Sequence, residues 1–353
     1  MIKKLISGIL ALSLLLCIAP IAVKASRELS LSANSAIMIE ADSNNILFEK
    51  NADVPLPMAS TTKIMTAITV IEACEPNKKF TVSELAVGTE GTSAYLQKED
   101  TITIEDALYA LLLQSANDVA VALAIECAGS VEGFVELMNK KASDLHLSKT
   151  SFKNPSGLPD QDHYTTAKDL AVLSSYCMKN HTFSKIVSSK QATVKINNQD
   201  RTFVNHNKLL SLYDGAIGIK TGYTKESGRC LVGAAQKNGV SVITVTLDAS
   251  DDWSDHKKMF DHAFESYRSY TLYSQGSFIV ELPVAGKTEH IKLFAPGEKK
   301  AVLKKGAKIT VRIEAPSLLT SPIKKGDAFA FAIFEHEGKE LFRTELCALN
   351  DLT

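Results

Sequence analysis

Three short segments carry residue types that can do nucleophilic chemistry together. In Pro57-Met58-Ala59-Ser60-Thr61-Thr62-Lys63-Ile64 a hydroxyl and an amine stand three residues apart. Ile64, Ile68 and Ile71 recur at helical spacing between Pro57 and Pro76, which predicts a helix whose N-terminus lies near Ser60. Residues at that separation share a helix face, so an uncharged Lys63 could take the Ser60 proton. Taken alone, the same pair also fits an N-cap serine and a solvated lysine. The second segment places Ser115 and Asn117 at a break in the apolar helix pattern that includes Leu111-Leu112-Leu113. The third, Lys220-Thr221-Gly222, offers a cation, a hydroxyl and a residue without a side chain at the end of a short strand pattern.

The elements around them must bring these segments together. Ala36 to Glu40 and Ile46 to Glu49 read as a β-hairpin ahead of the Ser60 helix. Helical periodicity then runs from Thr103 to Ala128, from Val131 to Leu145 and from Thr165 to Met178, with Thr165 or Thr166 as a cap. Ser151 to Tyr164 is a loop by composition, Asn197 to Arg201 is polar, and Ile217 to Lys220 is a short strand. Cys230 to Ala235 and Val240 to Leu247 flank Asn238-Gly239, a strong hairpin signal. A helix through Met259 to Tyr267 follows. Strands at both ends of a helical middle imply an α+β domain with an antiparallel sheet covered by helices. Beyond about Tyr270, Phe278 to Val284, Lys308 to Ile313 and Ala328 to Glu335 alternate in the manner of strands, which predicts a small all-β domain.

At 353 residues, 45% apolar and 22% charged, the chain has the composition of a folded protein with room for two domains. Met1 to Ser26 differs: Lys3 and Lys4, an apolar run from Leu5 to Val23 broken by Pro20, then Val23-Lys24-Ala25. This is the layout of a secretory signal cut after Ala25, so the protein is expected at the outer face of the cytoplasmic membrane, in the wall space or secreted. The run is also near the length of a span, which leaves an uncleaved anchor open. Bulky Leu16 before Cys17 speaks against a lipoprotein signal. Loss of residues 1–25 removes Lys3, Lys4 and Lys24 and takes the formal charge from −1 to −4, which argues against a general polyanion binder and against nucleic acid.

Cys74, Cys127, Cys177, Cys230 and Cys347 are odd in number with no C-x-x-C pair. Metal and disulfide frameworks are therefore poorly supported, and most of these thiols are expected to be small apolar fillers. His256 and His262 lack metal-site spacing and are expected on a helix surface. Asn154, Gly157, His163 and His206 read as structural loop residues. Lys299-Lys300, Lys304-Lys305 and Lys324-Lys325 read most simply as solvated turns, with a weak role against an anionic wall as the alternative.

Together and in this order, the three segments resemble the S-x-x-K, S-x-N and K-T-G set shared by penicillin-binding proteins and serine β-lactamases. The stretches ASTTKIMT (Ala59 to Thr66), FKNPSGL (Phe152 to Leu158), NHNKLL (Asn205 to Leu210) and GIKTGYT (Gly218 to Thr224) with GRCLV (Gly228 to Val232) narrow the resemblance. They are similar to the D-alanyl-D-alanine carboxypeptidases, the low-molecular-mass penicillin-binding proteins. The resemblance covers about Ser32 to Tyr270, and the β-rich remainder is similar to that family's second domain. It implies a signal peptide at 1–25, a serine D,D-peptidase domain at 26–269 and a β domain at 270–353.

By that resemblance, Ser60 attacks the penultimate carbonyl of a peptidoglycan stem peptide ending in D-Ala-D-Ala, with Lys63 as base. Ser115 relays the proton to the leaving amine, Asn117 holds the substrate amide and Lys63, and Lys220 with Thr221 binds the terminal carboxylate. Gly222 lets substrate lie along the strand edge, and the backbone N–H groups of Ser60 and Tyr223 hold the oxyanion. β-Lactams are the expected inhibitors, and no metal or other cofactor is needed. Two features depart from the pattern: no amphipathic tail helix able to lie on a bilayer is seen, and Glu226-Ser227 replaces a commoner Ala-rich pair. A β-lactamase is the nearest alternative, but its deacylating Glu has only one look-alike. Glu136-Leu137-Met138-Asn139 lies inside a helical pattern, too soon after Ser115 and with one residue too few. A wall-binding scaffold with a vestigial site is the alternative of another class, and the presence of every expected side chain speaks against it.

Overall fold

The computed structural model describes residues 29–276 and 279–353. The expected signal segment and Phe278 lie outside the described residues. Five strands form the central sheet: β1 (Ser35–Glu40), β2 (Ile46–Lys50), β3 (Ala216–Thr224), β4 (Gly228–Lys237) and β5 (Val240–Ala249). Their order is β2-β1-β5-β4-β3, antiparallel throughout, so the first strand reaches its place only once the chain returns at residue 240. Asn238 and Gly239 both take positive φ, 51° and 74°, as the tight β4–β5 turn requires. β3 is an edge strand and runs to Thr224, so Lys220-Thr221-Gly222 sits within it rather than at its end.

Side chains alternate across β5. Ile243, Val245 and Leu247 enter the main core, while Thr244 and Thr246 point to the other face and meet His256. His256 belongs to the helix Asp252–Ser266 and is fully buried, which corrects its expected surface position. A histidine between two threonine hydroxyls is a polar cluster that helical periodicity does not reveal.

Helix α1 (Lys63–Ala73) is buried over its first eight residues, Lys63 through Val70, and forms the centre of the helical core. The apolar stretch expected as one helix from Thr103 divides into Ile104–Tyr109, a π-helical turn over Ala110–Gln114, and α2 (Asn117–Ala128). α1 packs against α2, and Cys74, just beyond α1, is disulfide-bonded to Cys127 near the end of α2. Their Cα atoms are 6.4 Å apart. This overturns the expectation that these thiols are fillers, because two packed helix ends juxtapose residues that sequence spacing leaves unrelated. Gln191–Ile196 and Gln199–Val204 form a hairpin turning at Asn197 and Asn198, where sequence showed only a polar region.

The second sheet is ordered Ile279–Pro283, His290–Phe294, Lys339–Ala348, Ala328–His336 and Thr310–Glu314, all antiparallel. Leu293, Ala332, Phe334 and Leu346 close a core of its own. Tyr267–Tyr273 leaves the helix before it and pairs with Lys299–Lys304, so Lys299 and Lys300 lie in a strand and not in a turn. No helix among the described residues is long and apolar enough to cross a membrane.

Candidate active site

Ser60 sits in a 3-10 turn, Ala59–Thr62, that runs directly into α1. Ala59 enters it with φ 47°, an unusual value for a residue with a side chain. Thr61 Oγ donates to the Met58 carbonyl at 2.6 Å and Thr62 Oγ to the Ala59 carbonyl at 2.8 Å, so the turn binds its own backbone. One helical turn on, Lys63 Nζ lies 2.9 Å from Ser60 Oγ, 2.7 Å from Asn117 Oδ1 and 2.5 Å from the Ser156 carbonyl. The last two groups only accept. A neutral amine has two N–H donors and one lone pair, so the two acceptors use its hydrogens and leave the lone pair for the Ser60 hydroxyl.

Lys63 is completely buried, and burial first, then the nearby Lys220 cation, pushes its pKa well below the ordinary lysine value against an opposing pull from Asp118. Lys220 is itself buried, and burial lowers it to about 7. Its Nζ donates to the Thr221 carbonyl at 3.0 Å. Two buried amines are thus coupled electrostatically, which is the setting that makes a lysine basic rather than cationic near neutrality.

Ser115 ends the π-helical turn in the left-handed conformation, φ 65° and ψ 32°. The extra residue of a π turn interrupts the helix where a side chain must be re-aimed, and here it separates Leu111–Leu113 of the core from Ser115 at the cleft. Asn117 opens α2, with its Nδ2 donating to the Glu90 carbonyl at 2.6 Å and its backbone N–H to Thr92 at 2.7 Å. Behind it, buried Asp118 accepts from the backbone N–H groups of Ala94 and Leu96 and from Ser93 Oγ. The loop carrying Thr92 is thereby fixed over the helix start.

A cleft of about 410 Å³ opens beside Ser60, with Ser115, Thr221, Gly222 and Tyr223 among its walls. Lys63, Asn117 and Lys220 lie beneath these walls, buried. Gly222 is where β3 passes close to the turn carrying Ser60. A Cβ there would stand 3.0 Å from the Ser60 nitrogen and 3.1 Å from the Met58 oxygen and the Thr61 nitrogen.

Several residues join this site that sequence reasoning left aside. His163 accepts the Lys153 backbone N–H at Nδ1, 3.0 Å, so its proton is on Nε2, which donates to Thr62 Oγ at 2.7 Å. Burial lowers its pKa to about 4, which keeps it a neutral strut behind the Ser60 turn. The structural role expected for it stands, with the addition that it supports the turn carrying Ser60. Asn154 Oδ1 accepts from the N–H groups of Ser156, Gly157 and Leu158 and so shapes the loop that presents the Ser156 carbonyl to Lys63. A backbone acceptor leaves no trace in residue identity. His206 lines the cleft, which revises its reading as a loop residue only, and Lys208, Arg229, Asp252 and Trp253 line it too. Arg229 is held by buried Asp252, at 2.9 Å from Nε and 2.7 Å from Nη2, and its guanidinium lies 5.8 Å from the Trp253 ring centre. The one sequence signal for Arg229 is its place in the Gly228 to Val232 stretch.

A family model described as D-alanyl-D-alanine carboxypeptidase matches residues 22–251. D-alanyl-D-alanine carboxypeptidase DacF of Bacillus subtilis strain 168 is 33% identical, over 99% of this chain and 95% of its own. Among solved structures, penicillin-binding protein 5 of Haemophilus influenzae superposes with a TM-score of 0.76 at 27% identity, covering 91% of this chain and 98% of that one. The Streptomyces K15 DD-transpeptidase reaches 0.64 at 33% identity, covering 67% of this chain and 98% of its own. With its family model, a full-length relative and the fold in agreement, this chain belongs to the D-alanyl-D-alanine carboxypeptidase family of serine-type peptidases.

Proposed function

We propose that the protein is an exported carboxypeptidase that removes the terminal D-Ala from peptidoglycan stem pentapeptides through an acyl-enzyme on Ser60, and that penicillin acylates the same oxygen. The observation that carries this reading is the Lys63 amine, fully buried, 2.9 Å from Ser60 Oγ and with both of its remaining donors occupied. Neutral Lys63 takes the Ser60 proton as Oγ adds to the penultimate carbonyl. The oxyanion is received by the Ser60 and Tyr223 N–H groups, a kind of donor whose loss costs ~10²–10³ in rate. Ser115 passes a proton to the departing D-Ala amine, and water then releases the shortened peptide. Asn117 aligns Lys63 and the substrate amide, and Gly222 permits substrate to lie along the β3 edge.

Lys220 and Thr221 contribute to binding the terminal carboxylate, and we add Arg229 to them. Arg229 keeps a 42% exposed side chain at the cleft, whereas Lys220 is buried and best suited to depress Lys63. Export rests on the composition of residues 1–25 alone. A relative whose own length matches only two thirds of this chain supports reading 26–269 as a self-sufficient catalytic domain and 270–353 as an appended β domain. The test is release of free D-Ala from a defined stem pentapeptide, with fluorescent penicillin as an active-site label. Wild type should do both and Ser60→Ala neither. Equal, negligible release from both proteins would instead identify a scaffold, and rapid turnover of the penicillin would identify a β-lactamase.

A further inference from the structure

Residues Lys299 to Lys308 hold five lysines and no acid, within a chain of formal charge −1. The second half of this segment turns at Lys305 and Gly306, and with the hairpin turn at Glu337 and Gly338 it borders a groove of about 1050 Å³. Residues of β2 and Tyr267 complete the lining, so the groove runs along the seam between the central sheet and the C-terminal one. The two turns are tied to each other: His336 Nδ1–H donates to the Lys308 carbonyl at 2.9 Å, and His336 pairs with Lys339 across the hairpin. Lysines from separate strands are thereby fixed on one concavity.

Lys300 pairs with Glu298 at 3.1 Å, but the lysines of the groove lining are not neutralised by the protein. Among the described residues, Lys304, Lys308 and Lys339 are exposed and form no ion pair, and Glu337, 83% exposed, is the one carboxylate in the groove lining. Lys305 donates to the Phe264 carbonyl at 3.2 Å and retains two further N–H donors. Two other cations of the five-stranded sheet that carries Lys339 are treated differently. Arg312 and Arg343 are satisfied by Glu314, Glu335 and Glu340. The groove lining therefore carries open positive charge.

We propose that this groove binds a flexible, linear phosphodiester polyanion, with successive phosphates paired to Lys304, Lys308 and Lys339. Compact ammonium groups on mobile stems suit phosphate as point charges. A bilayer surface fits less well, because a plane of headgroups cannot enter a concavity, and the turns Lys305-Gly306-Ala307 and Glu337-Gly338 offer no large apolar side chain to insert. Nucleobases find no platform either. The two rings in the lining are both tied to backbone: the Tyr267 hydroxyl donates to the Leu47 carbonyl at 3.4 Å and His336 Nδ1–H to the Lys308 carbonyl at 2.9 Å. The mildly acidic whole chain excludes a general polyanion binder, and the groove is a confined exception to it.

The test titrates the full chain with poly(glycerol phosphate) between about 50 and 200 mM salt. Three phosphates neutralised on a flexible chain give a slope of log K against log salt of about −2, hence roughly 20-fold weaker binding across that range. The triple variant Lys304→Ala/Lys308→Ala/Lys339→Ala should lose most of that slope and bind at least tenfold more weakly at the low-salt end, with its unfolding midpoint unchanged. Lys324→Ala/Lys325→Ala, outside the groove, should behave as wild type. Absence of wild-type binding, equal loss in the control variant, or phosphatidylglycerol vesicles binding as tightly per phosphate as the polymer would each overturn the proposal. None of these readouts depends on the chemistry at Ser60.

Discussion

Gly157 is the residue at which the smallest change should do the most damage to the reaction. It stands on the loop that presents the Ser156 carbonyl to Lys63, with φ +88°, and a Cβ there would fall 1.9 Å from the Ala59 oxygen and 2.9 Å from the Ser60 nitrogen. Real Cβ contacts do not fall below 3.0 Å, so in Gly157→Ala the loop and the nucleophile turn must part by at least 1.1 Å. Both partners are backbone, and neither can swing aside as a side chain would. Misplacement of reacting groups by about 1 Å can cost roughly 10²-fold in rate, while left-handed backbone with a side chain costs ~1–2 kcal/mol in stability. Gly157→Ala should therefore acylate with fluorescent penicillin about 100-fold more slowly than wild type, with a modest loss of stability to urea. Ser156→Ala is the control, since Ser156 serves Lys63 through its carbonyl and its hydroxyl donates to Asn154 Oδ1 at 3.1 Å. It should stay within a few-fold of wild type. If Gly157→Ala acylated at nearly the wild-type rate with an unchanged unfolding midpoint, the claim that this loop fixes the serine would fail.

Three other perturbations test the electrostatics. Lys220→Met removes the second cause of the Lys63 depression, so its pKa rises, the acid limb of acylation moves to higher pH, and the rate at pH 6 should drop by roughly tenfold or more. A pH–rate profile superimposable on wild type would refute the coupling. Arg229→Gln should raise KM about tenfold or more for a peptide with a free C-terminal carboxylate, the scale of a lost charged hydrogen bond, and leave KM for the amidated peptide alone. Equal effects on both peptides would remove Arg229 from carboxylate binding. His163 and His256 have folded pKa values of about 4 and about 3, below the unfolded value of 6.5. Their neutral forms therefore support the fold fully above pH 6.5. Stability should fall as pH drops from 6.5 towards 4, at up to ~1.4 kcal/mol per pH unit for each. Urea unfolding of His163→Gln/His256→Gln should show that slope flattened between pH 6.5 and 5.

Much of this site was legible in the sequence because its chemistry resides in side chains at short, periodic spacing. Ser60 and Lys63 share a helix face, and the break after Leu113 that marks Ser115 is a real interruption, a π turn ending in left-handed backbone. The sheet, the helical middle and the β-rich end were readable from periodicity, since period two and period 3.6 leave different apolar patterns. What escaped has a common character. The Ser156 carbonyl has no identity in the sequence, and the Cys74–Cys127 bond depends on how α1 meets α2. His256 is hidden from a helix pattern because its partners, Thr244 and Thr246, lie on a strand ten and twelve positions earlier. Arg229 gains its place only when β4 carries it beside the helix bearing Asp252 and Trp253.

These omissions change how the site is understood. Read from sequence, three motifs converge and a lysine must somehow be uncharged. In the structure Lys63 is surrounded by two fixed acceptors, a second buried amine and a histidine-braced turn, each contributed by a different segment. Depressing Lys63 takes burial and a second cation that together outweigh the pull of Asp118, which no single helix supplies. The depressed amine beside Ser60 is therefore a property of the assembled fold. Loss of the packing around Gly157 or Lys220 should accordingly disable Ser60 as surely as loss of a motif side chain, while leaving all three motifs intact.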